Sequence, residues 1–191
     1  MNIVDSIRNA PLVDLGIFAA LFAAFIVGVM QGAIRRVLGI ISILFSFLVA
    51  ANLRDPVGEF LAHNWRQFSD GYNHLLAFAI IFCVMVIGTS ITIQGFYHRQ
   101  AIYAAKPVVD DVIGGLLGLV EGVLLLIIAI VILGSYTSPQ APGADIAQLR
   151  QAQDLLIHQS TIAGALRDHA VPAFLHILSF LLPGDLVSVF P

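Results

Sequence analysis

The chain has 191 residues, of which 59% are hydrophobic and 11% charged, against about 25% charged in an ordinary soluble domain. Nine Lys and Arg, twelve Asp and Glu and six His cannot cover a water-soluble fold of this size, and the mean hydropathy is +0.93. A soluble globular enzyme, a disordered chain and a nucleic-acid binder are excluded, the last because a net charge of −3 offers no basic patch, and a single Cys excludes a disulfide framework or a Cys-based zinc site.

Four apolar windows follow in chain order: Val13–Met30, Val37–Leu53, Leu75–Ile93 and Val112–Leu133. A bilayer core takes about 20 apolar residues per helix. Backbone polar groups find no water in hydrocarbon, so each window is expected to be an α-helix. The first run exceeds the h-region of a signal peptide and reads as an uncleaved span. The expected fold is all-α: a polytopic membrane protein with a four-helix bundle over residues 1–133 and an extracytoplasmic tail of short amphipathic helices over 134–191. Between spans two and three, residues 54–74 place Val57, Phe60, Leu61 and Trp65 at helical spacing. That predicts a short helix lying on the outer surface, with Trp65 and Tyr72 as interfacial aromatics.

After span four, residues 134–144 are a turn region rich in Pro, Gly and Ser. Asp145–His158 has an amphipathic helical pattern through Ile146, Leu149, Ala152, Leu155 and Leu156. Ser160 suits the N-cap of a short turn through about Arg167, and Pro172 suits the first turn of a last helix ended by Pro183–Gly184. That last run is too short to span, so it either lies in the interface or docks on the bundle.

Four spans put both termini on one side. The two short loops, 31–36 and 94–111, hold Arg35, Arg36, Arg99 and Lys106, a denser positive charge than Arg8, Arg54, Arg66, Arg150 and Arg167 give the much longer opposite segments. The short loops are therefore expected in the cytoplasm and both termini outside.

Gly114, Gly118 and Gly122 recur every four residues on one face of span four, and Gly28 and Gly32 repeat the spacing at the end of span one. Without side chains there, two backbones can approach closely. This face serves either packing of spans one and four within the monomer or a homo-oligomer. Glu121 lies near mid-bilayer, where a bare charge costs at least about 2.5 kcal/mol. It is read as protonated or hydrogen bonded inside the bundle, with Ser46 at similar depth as candidate partner. Asp14, Asp110 and Asp111 sit at helix N-termini, where the macrodipole stabilises acids. Arg35 and Arg36 can snorkel to lipid phosphate.

No catalytic, cofactor or metal site is expected. His63, His74, His98, His158, His169 and His176 lack paired-ligand spacing. There is no P-loop, dinucleotide fingerprint or nucleophile elbow. Ser160 with Asp168 and His169 is no triad, since neighbours on one short helix cannot be oriented that way.

In this setting the chain resembles the colicin V production protein (CvpA) family of bacterial inner-membrane proteins. Asp14 opens span one, and Gly32-Ala33-Ile34-Arg35 follows it, similar to the family's Gly-x-x-Arg. Asp110, Gly114, Gly118 and Gly122 match its Asp and spaced glycines, and Ser160 matches its Ser-containing segment after the fourth helix. Where the family often has a basic residue before the last Gly, this chain has Glu121. The resemblance implies a multi-pass inner-membrane protein linked to toxin (colicin V) production or export. Relatives that carry an extracytoplasmic trypsin-like protease after the last helix agree with an outside C-terminus. Two functions follow as expectations: a scaffold in the lipid bilayer that binds a membrane or periplasmic protein or acts in envelope homeostasis, or a small transporter or channel subunit using Glu121 and the hydroxyls of Ser42, Ser46, Thr89, Ser90 and Thr92.

Overall fold

The computed structural model describes residues 12–96, 107–137, 151, 154 and 160–184, and within these the chain forms helices and turns with no strand. In chain order the helices are α1 (Leu12–Gln31), α2 (Ala33–Asn64), α3 (Asp70–Phe96) and α4 (Pro107–Thr137), then α5 (Thr161–Ala165), a π-helical turn (Leu166–Ala170) and α6 (Val171–Leu178). The first four are long and apolar enough to cross a membrane. The amphipathic segment expected over residues 145–158 falls outside the described residues except at 151 and 154.

The helices stand in the order α3, α2, α4, α1. α2 packs along α3 and also on α4, and α4 packs along α1. Asp110, near the start of α4, meets Ala33 at the start of α2. Ser42 of α2 meets Thr89 of α3, and Gly58 of α2 meets His74 of α3. Those contacts set the directions: α2 and α4 rise together from the Gly32 end, and α3 returns beside α2.

Phe47, Ala50, Ala51, Phe78, Ile128 and Val131 fill the centre and are almost fully buried. Phe18, Ile26, Val84, Ile87, Ile91, Leu116 and Val120 point outward. On a soluble protein that exposed face would be a liability, but on a bundle of this length it is the surface hydrocarbon covers.

One chain turn separates α1 from α2. Gly32 has φ 78°, a left-handed conformation that side chains disfavour. A Cβ there would also strike the Asp110 carboxylate.

The expected separate helix over 54–74 is not what forms. α2 runs without a break to Asn64, through Pro56. Its 32 residues extend about 48 Å at 1.5 Å per residue, well beyond a hydrocarbon core of about 30 Å. Pro56 removes one helical hydrogen bond, but the flanking turns are held by packing on α3: Gly58 lets the His74 ring sit where a Cβ would lie 2.6 Å from its Nδ1. Trp65 then meets Phe68 edge to face, and Phe68 packs tilted on Tyr72, at the α2–α3 turn, at the far end of an axial extension of α2.

The described tail docks on the bundle. The two short helices expected in it are joined through the π-helical turn into one rod over 161–178. Ser160 caps it, accepting from the Ala163 N–H at 2.9 Å, and Pro172 sits in the first turn of α6. The rod crosses α1, α4 and α2. Phe174 packs on Phe47 with ring centroids 5.4 Å apart, Val171 and Leu175 are fully buried, and the Asn52 amide donates to the Leu181 carbonyl at 3.1 Å.

Candidate functional site

Three polar contacts between elements involve the acids singled out in the sequence, Asp110, Glu121 and Asp14. The first is at the Gly32 end. Gly32 precedes α2 and offers no side-chain cap, and Asp110 of α4 supplies one from outside by accepting the Ala33 N–H at 3.0 Å. This adds to its place at the start of its own helix, where the macrodipole alone accounted for it. Asp110 is 4% exposed, so the carboxylate is a buried tie between two helix starts.

Directly beyond lies the glycine seam. A Cβ on Gly114 would stand 2.6 Å from the Gly28 carbonyl oxygen and 2.9 Å from the Gly32 Cα. A Cβ on Gly28 would strike the Gly114 carbonyl, and one on Gly118 would strike the Ala24 carbonyl. Gly122 faces Leu21 and Ala24. The glycines of spans one and four thus meet each other inside one chain, backbone against backbone.

The second contact is an ion pair. The Arg36 guanidinium donates to the Glu121 carboxylate. Glu121 lies about 16 Å along α4 from Asp110, and Arg36 lies only about one turn into α2. The pair forms because a helical Glu side chain leans toward its own N-terminus, the end at which Arg36 lies. Gly39 leaves room for it, since a Cβ there would stand 3.2 Å from a Glu121 oxygen. Arg36 therefore does not snorkel to lipid, and Glu121 does not pair with Ser46. Ser46 is fully buried farther along α2, with no hydrogen-bond partner for its Oγ. One turn nearer Arg36, the Ser42 hydroxyl pairs with Thr89.

The third contact holds the tail. Asp14 of α1 accepts from the Ser160 Oγ, from the Thr161 N–H at 3.1 Å and from the Ile162 N–H at 3.3 Å. Like Asp110, it caps a helix other than its own. Asp14 and Ser160 are both nearly buried, and 146 residues of chain separate them.

The family model for colicin V production protein matches residues 13–181. The chain belongs to the colicin V production protein family. No curated protein and no solved structure matches it. This member of the colicin V production family is a multi-pass membrane protein by its four long apolar helices. Of the residues that carry the resemblance, Asp14 meets Ser160, and Asp110 meets the Gly32 turn. Arg35 is only partly buried and its neighbour Arg36 makes the buried contact. The sequence reading sent Arg36 to lipid phosphate and missed its buried pairing with Glu121. The signal for it was present: Arg36, Ile43, Phe47, Ala50 and Arg54 fall on one face of α2, and that face is the buried one.

The three acids tie separate elements together. Asp14, Asp110 and Glu121 each engage donors on another element. Among the described residues no three His, Cys, Asp or Glu side chains are grouped to hold a metal.

Proposed function

We propose that this chain is a membrane scaffold of colicin V production or envelope homeostasis, which acts by presenting a fixed surface to a protein partner. The observation that carries it is the engagement of Asp14, Asp110 and Glu121 in interhelical ties. A buried acid used this way rigidifies the bundle and is withdrawn from chemistry. The alternative, a small transporter working through Glu121, has the Arg36 ion pair against it. Reconstituted flux that Glu121→Gln abolishes would restore it.

The membrane is the bacterial inner membrane in this reading. The Gly32 end, with Arg35 and Arg36, faces the cytoplasm, and both termini lie outside. The α2–α3 turn with Trp65 and Phe68, both exposed, then projects outward from the bilayer and is the surface a partner meets first.

A photo-crosslinking residue placed at Phe68, expressed at native level, tests this. One discrete protein adduct is expected there, and only lipid adducts at Ile87 on the outward face of α3. Lipid and self adducts alone at both positions would sink the scaffold reading. For orientation, an alkaline phosphatase fused after Pro191 should be active and one fused within 97–106 inactive; the reverse pattern overturns the assignment.

A further inference from the structure

The contacts that hold the tail rod also give its depth in the membrane. α1 is 20 residues long, about 30 Å, which is the thickness of a hydrocarbon core. Its two ends, near Asp14 and Gly32, therefore mark the two edges of that core. The rod begins at the Asp14 edge, where the Asp14 carboxylate accepts from Ser160. Phe174 then meets Phe47, about 21 Å along α2 from Ala33, and the Leu181 carbonyl accepts from Asn52, about 28 Å along it. The rod thus crosses the bundle within about the last 10 Å of the core. It does not stand clear of the apolar zone.

Three sides of the rod differ in chemistry. Ala163, Val171, Leu175 and Leu182 face the bundle and are buried. Ile162, Leu166, Ala170, Phe174, Ile177 and Leu181 recur every three or four residues and form one apolar flank. On it Ile177 and Leu181 are exposed, and Ile162, Leu166 and Ala170 line a shallow, almost wholly apolar concavity. Asp168, His176 and Ser179 fall on the opposite flank, and all three are exposed. Phe174 belongs to the apolar flank, and its partner Phe47 is the deepest of the three attachment points. The apolar flank therefore points toward the middle of the bilayer and the polar flank toward its surface.

We propose that the docked rod is a membrane-contact surface lodged in the leaflet farther from Gly32, with Ile177 and Leu181 on acyl chains and Asp168, His176 and Ser179 among the headgroups. Interfacial amphipathic helices bury an apolar face about 5–10 Å into the boundary between headgroups and chains, the depth that the three attachments give this rod. Immersion of both flanks would put Asp168 in hydrocarbon at a cost of at least about 2.5 kcal/mol. A rod held wholly in water would leave Ile177, Phe180 and Leu181 bare. The partner of this surface is the phospholipid of one leaflet, and it requires no second protein.

The consequence is a wedge. The leaflet farther from Gly32 holds the four long helices and the rod. In the other leaflet the glycine seam draws α1 and α4 together, backbone against backbone at Gly28 and Gly114. The chain is therefore wider in one leaflet than in the other. The tail is a membrane-embedded part of the body and not a separate extracytoplasmic unit.

The test uses the full chain with Cys83→Ala in phosphatidylcholine nanodiscs and a single spin label at Ile177→Cys or His176→Cys. Leu181→Cys and Ser179→Cys serve as second positions on the two flanks. Labels at Ile87, on the lipid face of α3, and at Asn64, at the end of the α2 extension, give the hydrocarbon and water references. Accessibility to oxygen relative to a water-soluble nickel chelate reads the depth. The ratio at Ile177 and Leu181 is expected to match Ile87, and the ratio at His176 and Ser179 to fall toward Asn64. Water-like ratios at all four positions overturn the proposal, because the rod would then lie outside the bilayer. Ratios like Ile87 at all four overturn it as well, because the polar flank would not be among headgroups. A label at Ile177 shielded from both reagents also overturns it, since protein, from a second copy or from the same chain, would then cover the flank in place of lipid.

Discussion

Gly118→Ala and Gly88→Ala are the same substitution, each in the middle of a long apolar helix, and should have opposite effects. Helix propensity favours Ala over Gly by about 1 kcal/mol on water-based scales, and hydropathy changes little. At Gly88 a new Cβ meets nothing within 4 Å, so the propensity gain stands alone and the variant should be as stable as the parent or slightly more. At Gly118 the new Cβ strikes the Ala24 carbonyl oxygen and lies 3.0 Å from the Gly28 Cα. Both are backbone atoms of α1 and cannot rotate aside. The helices must separate, and the separation spreads to Gly28 against Gly114. Overpacking costs typically about 1–3 kcal/mol, and a backbone clash belongs at the upper part of that range. Subtracting the propensity gain leaves Gly118→Ala destabilised by about 1–2 kcal/mol, and Gly118→Leu by more. Thermal unfolding in detergent, repeated at several protein-to-detergent ratios, reads this directly. Equal melting of Gly118→Ala and Gly88→Ala would refute the close-packing argument. A loss of stability seen only at high protein density would move the seam to an interface between copies.

Three further outcomes follow from the ties. Arg36→Ala or Glu121→Ala alone should cost about 3–5 kcal/mol by stranding a buried charge, while Arg36→Met combined with Glu121→Leu should cost less than either; a double variant no better than the worse single one would show that the pair is not what matters. Asp110→Ala removes the cap of α2 and should cost about 0.5–2 kcal/mol, with Asp110→Asn milder; unfolding midpoints that match the parent for both would count against the tie. Asp14→Ala should free the tail and leave the bundle intact, so hydrogen exchange should rise at Thr161, Ile162 and Ala163 while Gly114–Gly122 stay protected; unchanged exchange at Thr161 would refute the role of Asp14.

The four spans, the glycine faces and the Ser160 cap were legible because each rests on local periodicity or a short motif. What sequence could not give is where a polar side chain ends up. Asp14 and Asp110 have a sufficient local explanation at their own helix starts, and that explanation hides their longer reach to Thr161 and Ala33. Glu121 was matched with Ser46 on depth alone, but depth is counted from the Cα, and the Arg36 and Glu121 side chains together cover about 12 Å along the bundle. The break expected after Leu53 failed for a different reason. Pro56 and the charges at Arg54 and Asp55 read as the end of a span, yet α3 runs beside that stretch and packing on His74 outweighs the lost hydrogen bond.

The placement of the two capping acids makes the ends of the bundle unequal in how easily they can change. At the Gly32 end, Asp110 is tied to the same turn that begins the glycine seam, so loosening it means opening backbone contacts between α1 and α4 as well. At the other end, Asp14 holds a rod that crosses the bundle, and its release would break the cap and the Phe174 contact on Phe47 but leave every glycine contact in place. Elements that move in regulation come from the less stable parts of a structure, so a partner that remodels this protein should act on the tail and not on the seam.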